Sequence, residues 1–292
     1  MRQQIAFYGK GGIGKSTLIS DLSAALAEAG FSVLQIGCDS KGDSCCILNN
    51  GVAITTVFDL LRSDNALTLE SVVHYGFKGI ACVELGDSSS TGDCSSASIA
   101  GAFAHLNRIG LFEQLPVDFI LYDIPGETSC LGFYSSIHQQ GINRALVVTS
   151  GDFMSLHTAN TIFRILERHS ETQAPVPVGG LILNGIANSF EETFIKDFAA
   201  HTNTRTLGRI PRSLMVKQCE LYGKTVIEAS PLSNQSYFYR RLANQIVDDA
   251  QDGASPNRPL PMQPEQLRGW ARTWGDRIYE LENGLVNDGA AI

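Results

Sequence analysis

Residues Gly9 to Thr17 read GKGGIGKST, and this stretch decides the fold. It fits the phosphate-binding pattern G-x-x-x-x-G-K-[ST], in which glycines let backbone N–H groups turn toward a polyanion. A short apolar run, Gln4 to Tyr8, precedes the loop, and apolar residues at helical spacing follow it from Leu18 to Ala29. The motif requires this strand and this helix on either side, so the sequence predicts binding of a nucleoside triphosphate.

The loop residues have distinct expected roles. Lys15 is placed to reach the terminal phosphates, and the Ser16 hydroxyl is placed to bind Mg²⁺. The start of the following helix adds a partial positive charge. A second lysine, Lys10, is expected to point outward, where it can serve a neighbouring subunit's nucleotide. The predicted nucleotide-binding set of the loop is Gly9, Lys10, Gly11, Gly12, Ile13, Gly14, Lys15, Ser16 and Thr17.

The same loop also contains G-x-G-x-x-G, the fingerprint of dinucleotide-binding folds. Asp39 follows the second predicted strand at roughly the spacing that holds a ribose in such folds. A Lys-Ser pair directly after the third glycine is expected for a triphosphate and is not needed for a pyrophosphate. The sequence therefore favours the triphosphate, with an NAD or FAD site and a glycine turn without ligand as the alternatives.

Composition narrows the class of protein. The chain has 292 residues, 43% of them hydrophobic and 18% charged, enough for one large α/β core or two small ones, and we expect one domain with a tail. The net charge is −8, and no basic run exceeds a pair, which argues against nucleic acid and anionic membranes as partners. No apolar run is long enough to cross a bilayer, and a strand is predicted within a few residues of Met1, so we expect a cytoplasmic protein. Seven cysteines in a reducing compartment are expected to be buried thiols, reactive thiols or metal ligands.

Predicted strands and helices alternate along the chain, which indicates an α/β doubly wound, mostly parallel sheet with P-loop NTPase topology. Ligands of such sheets bind outside the C-terminal ends of the strands. The strands are expected at Ser32–Ile36, Ile80–Glu84, Asp118–Tyr122, Arg144–Val148, Val178–Leu183 and Thr206–Ile210. Helical periodicity covers Leu18–Ala29, Ala97–Gln114, Ser155–Arg168, Phe190–Ala200 and Ser236–Ala250.

The predicted nucleotide-binding domain covers residues 1–250, and a proline-rich linker with a C-terminal amphipathic helix covers residues 251–292. Four prolines lie between residues 256 and 264. Beyond them, apolar side chains recur at steps of three and four residues, at Leu267, Trp270, Trp274, Ile278 and Leu281. This helix is expected to pack back onto its own domain or, alternatively, to cover a partner subunit.

Two aspartates follow predicted strands and should face the phosphate loop. Asp39 and Asp123 are in the positions of the Mg²⁺ partners of such ATPases. Asp123 and Gly126 form the pattern Asp-x-x-Gly, in which the glycine backbone senses a γ-phosphate. Glu127 comes next and is placed to orient the attacking water. The alternative for any single loop carboxylate is a solvated surface charge.

Cys94 and Cys130 each lie near a loop that follows a strand end on the nucleotide side. Two thiolates are too few for a cubane iron–sulfur cluster, but a two-fold dimer would supply four. No C-x-x-C element is present, so two free thiols are the alternative.

Taken together, these residues resemble the iron protein of nitrogenase and its relatives in the dark-operative protochlorophyllide and chlorophyllide reductases. The resemblance covers about residues 3 to 250. Plain ParA- or MinD-like ATPases share the phosphate loop and Lys10 but lack the cysteine pair. The matching segments are Tyr8 with the phosphate loop, Gly37-Cys38-Asp39 with Lys41, Asp43 and Ser44, Cys82-Val83-Glu84 with Gly86, Asp123 with Gly126, Cys130, Gly132 and Phe133, Asn184, Ile210-Pro211-Arg212, and Thr225-Val226-Ile227-Glu228.

The resemblance implies a P-loop NTPase of the SIMIBI type with a deviant Walker A loop, acting as a homodimer. One [4Fe-4S] cluster would be held by Cys94 and Cys130 of both subunits, and each subunit would bind MgATP. It assigns residues to the nucleotide as follows: Lys15, Ser16, Asp39, Lys41 and Asp43 to the phosphates and Mg²⁺, Lys10 to the phosphates across the dimer, and Asn184, Pro211 and Arg212 to the adenine side.

The resemblance further implies electron transfer from a donor such as ferredoxin or flavodoxin to a nitrogenase-like two-subunit catalytic component, timed by ATP hydrolysis. Ala97 replaces an arginine on the family's docking face, so we expect a terminal substrate other than dinitrogen, such as a tetrapyrrole or an organosulfur compound. Asp93, Glu127 and Leu131 also depart from the family pattern. We expect Asp93 and Leu131 to change the reduction potential of the cluster and Glu127 to change the rate of ATP hydrolysis. The alternatives are a ParA- or MinD-like nucleotide-switched ATPase and an iron–sulfur cluster carrier.

Overall fold

The computed structural model describes residues 2–63, 66–86, 96–126, 140–170, 176–251 and 258–285. Strands and helices alternate through these residues as the sequence predicts. The strands are β1 (Gln3–Gly9), β2 (Val33–Gly37), β3 (His74–Tyr75), β4 (Ala81–Glu84), β5 (Phe119–Asp123), β6 (Arg144–Thr149), β7 (Val178–Ile186) and β8 (Thr206–Pro211). The helices are α1 (Lys15–Glu28), α2 (Val57–Arg62), α3 (Leu69–Val72), α4 (Ser96–Arg108), α5 (Leu111–Gln114), α6 (Phe153–Ser170), α7 (Ser189–His201), α8 (Leu214–Leu221), α9 (Val226–Ala229), α10 (Asn234–Gln251) and α11 (Pro264–Glu282).

Within the described residues, eight strands form one sheet in the order β3-β4-β2-β5-β1-β6-β7-β8. Every pairing is parallel except that of the two-residue edge strand β3 with β4. The strand β1 lies between β5 and β6, where Phe7 pairs with Asp123 and with Leu146. Chain order reverses on either side of β1, which confirms the predicted doubly wound, mostly parallel α/β sheet.

Alternate residues of the strands feed two hydrophobic cores, one on each face of the sheet. On one face, Ile5 and Phe7 pack in a cluster with buried residues of α1 and α10. On the other, Ala6 lies in a cluster with buried residues of α4, α6, α7 and α11. This period of two explains why β1 reads as a nearly continuous apolar run, since both of its faces are covered.

One predicted helix is wrong in its extent. The periodicity predicts a single helix over Ala97–Gln114, but the structure has α4 and α5, with Gly110 between them at a φ of 69°. A left-handed backbone ends a helix, and glycine adopts it without steric cost. Apolar residues on either side of Gly110 keep the helical spacing, so periodicity alone did not reveal the break.

The C-terminal helix α11 begins at Pro264, a position where the missing N–H of proline costs nothing. It packs against α7 through four aromatic side chains, Phe194, Phe198, Trp270 and Trp274, which we call the aromatic seam. Phe194 and Trp270 stack with ring centroids 4.9 Å apart, and Trp274 meets Phe194 edge-on at 5.1 Å. The indole Nε1 atoms of both tryptophans donate to Asp197 Oδ2, at 2.7 and 2.8 Å.

The helix α11 therefore contacts its own chain, the first of the two arrangements expected for it. The division into residues 1–250 and 251–292 stays a prediction. Among the described helices, none combines the length and the apolar character needed to cross a membrane.

Candidate nucleotide-binding site

The phosphate loop joins the end of β1 to the start of α1. Gly9, Gly12 and Gly14 have φ values of 154°, 75° and 84°, which side-chain-bearing residues rarely adopt. Gly9 also faces the Val148 carbonyl oxygen, and a Cβ atom there would lie 2.5 Å from it. At Gly12, by contrast, an added Cβ would meet no atom of the described chain within 4 Å. The loop thus leaves open space at the N-terminus of a 14-residue helix, which suits an anion.

Two lysines of the loop have opposite environments. Lys15 is buried, and its Nζ donates to the Gly9 carbonyl oxygen at 3.3 Å. Burial lowers the pKa of Lys15, while the nearby carboxylates of Asp123 and Asp39 oppose that change. Lys10 is exposed to solvent. The buried ammonium is therefore enclosed with two acidic groups, and the exposed one is accessible to another molecule.

Asp123 ends β5 and is only 3% exposed. Its Oδ2 accepts a hydrogen bond from Ser44 Oγ at 2.7 Å, and Ser16 also hydrogen-bonds this carboxyl group. Burial raises the pKa of Asp123, and the bonds from Ser16 and Ser44 together with the charge of Lys15 counteract it. A buried carboxyl group beside the motif's Mg²⁺-binding serine is suited to hold that serine and the water ligands of a cation.

The loop after β2 carries three residues of the predicted set. Asp39 Oδ1 accepts from the Lys41 backbone N–H at 3.1 Å and from Ser40 Oγ at 3.3 Å, which fixes a turn. Asp43 is exposed, and its carbonyl oxygen accepts from the Cys46 N–H at 3.2 Å. Asp39 raises the pKa of Lys15, so its carboxylate lies near the ammonium. The structure thus brings Asp39 and Asp123 to one end of the sheet beside Lys15.

A buried hydrogen-bond network supports this loop from below. Gln35 on β2 donates through Nε2 to the Ser44 carbonyl oxygen at 3.0 Å, to Ser44 Oγ at 3.1 Å and to Ser20 Oγ at 3.1 Å. Ser23 Oγ donates to Gln35 Oε1 at 2.8 Å. These bonds tie α1, β2 and the Ser44 loop to Asp123. Our sequence analysis missed Gln35, and the only signal was a glutamine inside an otherwise apolar strand.

Gly126 touches the phosphate loop directly. A Cβ atom at Gly126 would overlap the backbone nitrogen and Cα of Gly11. The segment from Asp123 to Gly126 therefore contacts the loop backbone at one end and the Ser16 hydroxyl at the other. We call the C-terminal ends of β1, β2 and β5, with residues 9–16, 39–45 and 123–126, the nucleotide edge.

The residues assigned to the adenine side lie farther along the same end of the sheet. Asn184 on β7 donates through Nδ2 to the Ile13 carbonyl oxygen at 2.8 Å, so it braces the phosphate loop. Pro211 ends β8, and the exposed Arg212 donates its backbone N–H to the Ile186 carbonyl oxygen at 2.9 Å. Their contact with a base stays a prediction.

Two contacts that sequence reasoning missed hold α8 and α9 to α1. Thr17 Oγ1 donates to Glu220 Oε1 at 2.6 Å. Asp21 is fully buried, and its Oδ1 accepts from the backbone N–H groups of Val226 and Ile227 at 2.7 and 3.2 Å. Burial raises the pKa of Asp21 to about 8. Asp21 lies in the apolar stripe of α1. An acidic residue at such a position indicates a buried polar partner, and this was the signal in the sequence.

Residues 3–275 match the model of a family described as 4Fe-4S iron sulfur cluster binding proteins, NifH/frxC family. The chain belongs to this family.

Curated relatives agree with the NifH/frxC assignment over nearly the whole chain. Nitrogenase iron protein 2 of Paenibacillus durus is 40% identical over 99% of this chain and 97% of that protein. The nitrogenase iron protein of Methanospirillum hungatei is 39% identical over 93% of this chain and 96% of that protein. These matches confirm the resemblance deduced from the motifs and identify a divergent member of the family.

Solved structures establish the fold of this NifH/frxC member independently. The cell division ATPase MinD of Pyrococcus furiosus superposes with a TM-score of 0.65 at 20% identity, covering 85% of this chain and 99% of that one. The MinD of Pyrococcus horikoshii complexed with Mg-ADP gives a TM-score of 0.67 at 21% identity, covering 87% and 99%. The fold is therefore that of P-loop ATPases of the SIMIBI type, as predicted.

Three residues that the sequence analysis assigned to the chemistry of this NifH/frxC protein, Cys94, Glu127 and Cys130, lie outside the described residues, as do Asp93 and Leu131. Among the described cysteines, Cys38, Cys45, Cys82 and Cys219 are buried and Cys46 is half-buried. Within the described ranges, no group of three His, Cys, Asp or Glu side chains is placed to hold a metal ion.

Proposed function

We propose that this chain is the ATP-dependent electron-transfer component of a nitrogenase-like reductase, working as a homodimer. The observation that carries the proposal is the contact of Gly126 with Gly11, because it joins the phosphate loop to the segment that leads to Cys130 four residues later. A change at the phosphates can therefore reach a cluster ligand through a short stretch of backbone.

MgATP fits the nucleotide edge by its donor set and its open loop. The backbone of residues 9–17 and the Lys15 ammonium would hold the phosphates, and Ser16 would bind Mg²⁺ with Asp39, Lys41 and Asp43 close by. Asp123 holds Ser16 in place through its hydrogen bond. Asn184, Pro211 and Arg212 would lie on the adenine side.

Hydrolysis in this proposal uses side chains from both subunits. Glu127 would orient the attacking water, and the exposed Lys10 would reach the phosphates of the partner subunit. Loss of the γ-phosphate would then release the backbone at Gly126, which lies against Gly11. Hydrolysis in this scheme times the transfer and supplies no electron.

The chemistry of thiolates suits a cluster shared between subunits. Cys94 and Cys130 of each subunit would supply the four sulfur ligands of one [4Fe-4S] cluster, which accepts and donates one electron at a time. The electron would come from a ferredoxin or flavodoxin and pass to a two-subunit, nitrogenase-like component. Because Ala97 replaces the family's arginine on the docking face, we propose a terminal substrate other than dinitrogen, such as a tetrapyrrole or an organosulfur compound.

Iron analysis of anaerobically purified protein tests the proposal. We expect a brown dimer with about two iron atoms per chain, as one cubane cluster per dimer requires. Cys94→Ala and Cys130→Ala should each abolish iron binding. Cys46→Ala is the matched control, since this half-buried cysteine has no assigned role and its loss should leave the iron content unchanged.

The second candidate is a nucleotide-switched ATPase that positions cargo, without a cluster. It is favoured by the contacts of Asp123 with Ser16 and Ser44 beside Lys15, a set of groups that suits a phosphate and a cation and requires no cluster. A colourless, iron-free dimer whose ATP hydrolysis is unaffected by Cys94→Ala would support this candidate and exclude the reductase.

A further inference from the structure

Glu84, the last residue of β4, is a buried acid without an assigned role. It is 1% exposed, and its Oε1 accepts a hydrogen bond from the Cys45 backbone N–H at 2.6 Å. Its Oε2 is buried and has no hydrogen-bond partner among the residues that the structure describes. Burial raises the pKa of Glu84 to about 8, and the negative charges of Asp123 and Asp43 add to this effect. At neutral pH the carboxyl group is therefore mostly protonated.

The backbone of β2 is shaped to receive this carboxyl group. Gly37 pairs with Glu84 in the parallel register, and a Cβ atom at Gly37 would overlap the carboxyl carbon and both of its oxygens. The Leu85 N–H donates to the Gly37 carbonyl oxygen at 2.9 Å, so the two strand ends are held together. Only glycine leaves room for the carboxyl group at this point.

Glu84 adds a side-chain contact between the loop that follows β2 and the end of β4. On one side, Cys45 directly follows Ser44, whose hydroxyl donates to Asp123. On the other side, β4 continues through Leu85, whose carbonyl oxygen accepts from the Phe58 N–H at 3.1 Å, and then leads toward Cys94. The carboxyl group is thus a direct link between the far end of the loop of residues 39–45 and the strand end that precedes Cys94, the proposed cluster ligand.

We propose that Glu84 is a positioning residue that transmits movement of the 39–45 loop to the segment carrying Cys94. The inference rests on the proposed function. A nucleotide with Mg²⁺ that draws Asp39 and Asp43 toward the phosphates moves Ser44 and the Cys45 N–H, and the Glu84 hydrogen bond either follows or breaks. Cys130 follows Gly126, which contacts the phosphate loop. In this proposal the phosphate loop therefore acts on Cys130, and the loop of residues 39–45 acts on Cys94.

Two substitutions separate the hydrogen bond from the charge. Glu84→Gln keeps a neutral acceptor for the Cys45 N–H, whereas Glu84→Leu keeps a similar size without an acceptor. Glu113→Leu, which removes an exposed carboxylate from α5, is the matched control. Urea unfolding of each variant reports whether the fold is retained.

The readout is hydrogen exchange by mass spectrometry on the full-length, iron-loaded dimer, with MgATP, with MgADP and without nucleotide. In the parent protein and in Glu84→Gln, we expect MgATP to alter exchange in residues 43–48 and in residues 85–95. In a folded Glu84→Leu variant, the change in residues 43–48 should persist, and that in residues 85–95 should fall by about threefold or more. Glu113→Leu should behave like the parent protein.

A pH series keeps the test decisive if Glu84→Leu does not fold. In the parent protein, the MgATP-dependent change in residues 85–95 should diminish as Glu84 ionises above pH 8, and in Glu84→Gln it should not. Asp43, Asp123, Cys45 and Cys46 also interact with this carboxyl group and are present in both proteins, so only the difference between the two proteins counts.

An undiminished change in residues 85–95 of Glu84→Leu, or identical pH profiles of the parent protein and Glu84→Gln, would overturn the inference. Iron content is measured on the same samples and decides the proposed function separately. An iron-free parent protein defeats the electron-transfer proposal, whereas an iron-loaded protein in which Glu84→Leu loses the change in residues 85–95 and Glu84→Gln keeps it supports both.

Discussion

The nucleotide edge and the aromatic seam each contain an acidic side chain, and the two side chains differ in burial and in their hydrogen-bond partners. At the nucleotide edge, Asp123 is almost fully buried among hydroxyl groups and an ammonium, and burial raises its pKa. At the aromatic seam, Asp197 is only partly buried and accepts hydrogen bonds from two indole N–H groups. The first arrangement holds polar groups ready for a cation, and the second fastens a helix. Stability and function are therefore expected to respond to different substitutions.

The largest effect on stability is expected at the aromatic seam. Trp270→Ala removes a ring stacked 4.9 Å from Phe194 and should lower the free energy of unfolding by about 3 to 5 kcal/mol. Affinity for MgATP should stay unchanged in the protein that remains folded. Urea unfolding and equilibrium nucleotide binding measure the two quantities. Tyr279→Ala, at an exposed aromatic position of α11, is the control and should cost little.

The largest effect on function is expected from Lys15. Lys15→Ala removes the buried ammonium from the nucleotide edge and should weaken MgATP binding by about 100-fold, as the loss of a charge-assisted bond to phosphate implies. Titration calorimetry measures the affinity. Lys78→Ala, at an exposed lysine, should bind as the parent protein does. Retention of parental affinity by Lys15→Ala would mean that the nucleotide binds elsewhere.

A smaller effect tests the role of Asp197 in fastening α11. Asp197→Ala leaves two indole N–H groups without their acceptor and should lower the free energy of unfolding by about 1 to 3 kcal/mol. Asp276→Ala removes an exposed carboxylate from α11 and should change stability much less. Equal losses in the two variants would show that the indole bonds contribute nothing of their own.

The smallest effect, taken over a single pH unit, concerns the titration of Asp21. Its pKa is raised to about 8 from 3.8, so the native state holds this proton over a pH range in which the unfolded state has lost it. The stability that Asp21 contributes is therefore complete below pH 3.8 and is lost as pH rises through 8. Each pH unit in that window should remove about 1 kcal/mol.

Asp21→Asn keeps an oxygen acceptor for the Val226 and Ile227 N–H groups and has no proton to lose. Its stability, from urea unfolding at pH 6 and pH 7, should fall less between these values than that of the parent protein. Asp248→Asn, at an exposed position of α10, serves as control and should retain the parental slope. The same slope in Asp21→Asn would exclude a titrating Asp21.

The sequence predicted those parts of the molecule that depend on local pattern. The glycines and the Lys-Ser pair of the phosphate loop were sufficient to predict the strand before the loop and the helix after it. Near-continuous apolar runs predicted the parallel sheet, because strands covered on both faces admit few polar residues. The gap at Gly110 was not predicted, since helical spacing persists across it.

The supporting contacts of the site could not be predicted because they join side chains and backbone of different elements, which local pattern does not pair. Gln35 bonds Ser44 across a loop, Asp21 meets a helix about 200 residues later, and Glu84 reaches Cys45 from a neighbouring strand. Each is a polar side chain within an apolar pattern. Such a side chain indicates that a buried hydrogen-bond partner exists, but the pattern does not identify that partner. The roles of Cys94, Glu127 and Cys130 stay predictions.

Both tryptophans of the chain, Trp270 and Trp274, lie in the aromatic seam and donate to the same carboxylate. Intrinsic tryptophan emission therefore reports the attachment of α11 to α7, and no tryptophan lies at the nucleotide edge. An unfolding curve followed by this emission reports the detachment of the C-terminal helix, whereas far-UV circular dichroism reports the secondary structure of the whole chain. If the emission curve has its midpoint at a lower denaturant concentration than the circular dichroism curve, the C-terminal helix detaches before the rest of the chain unfolds.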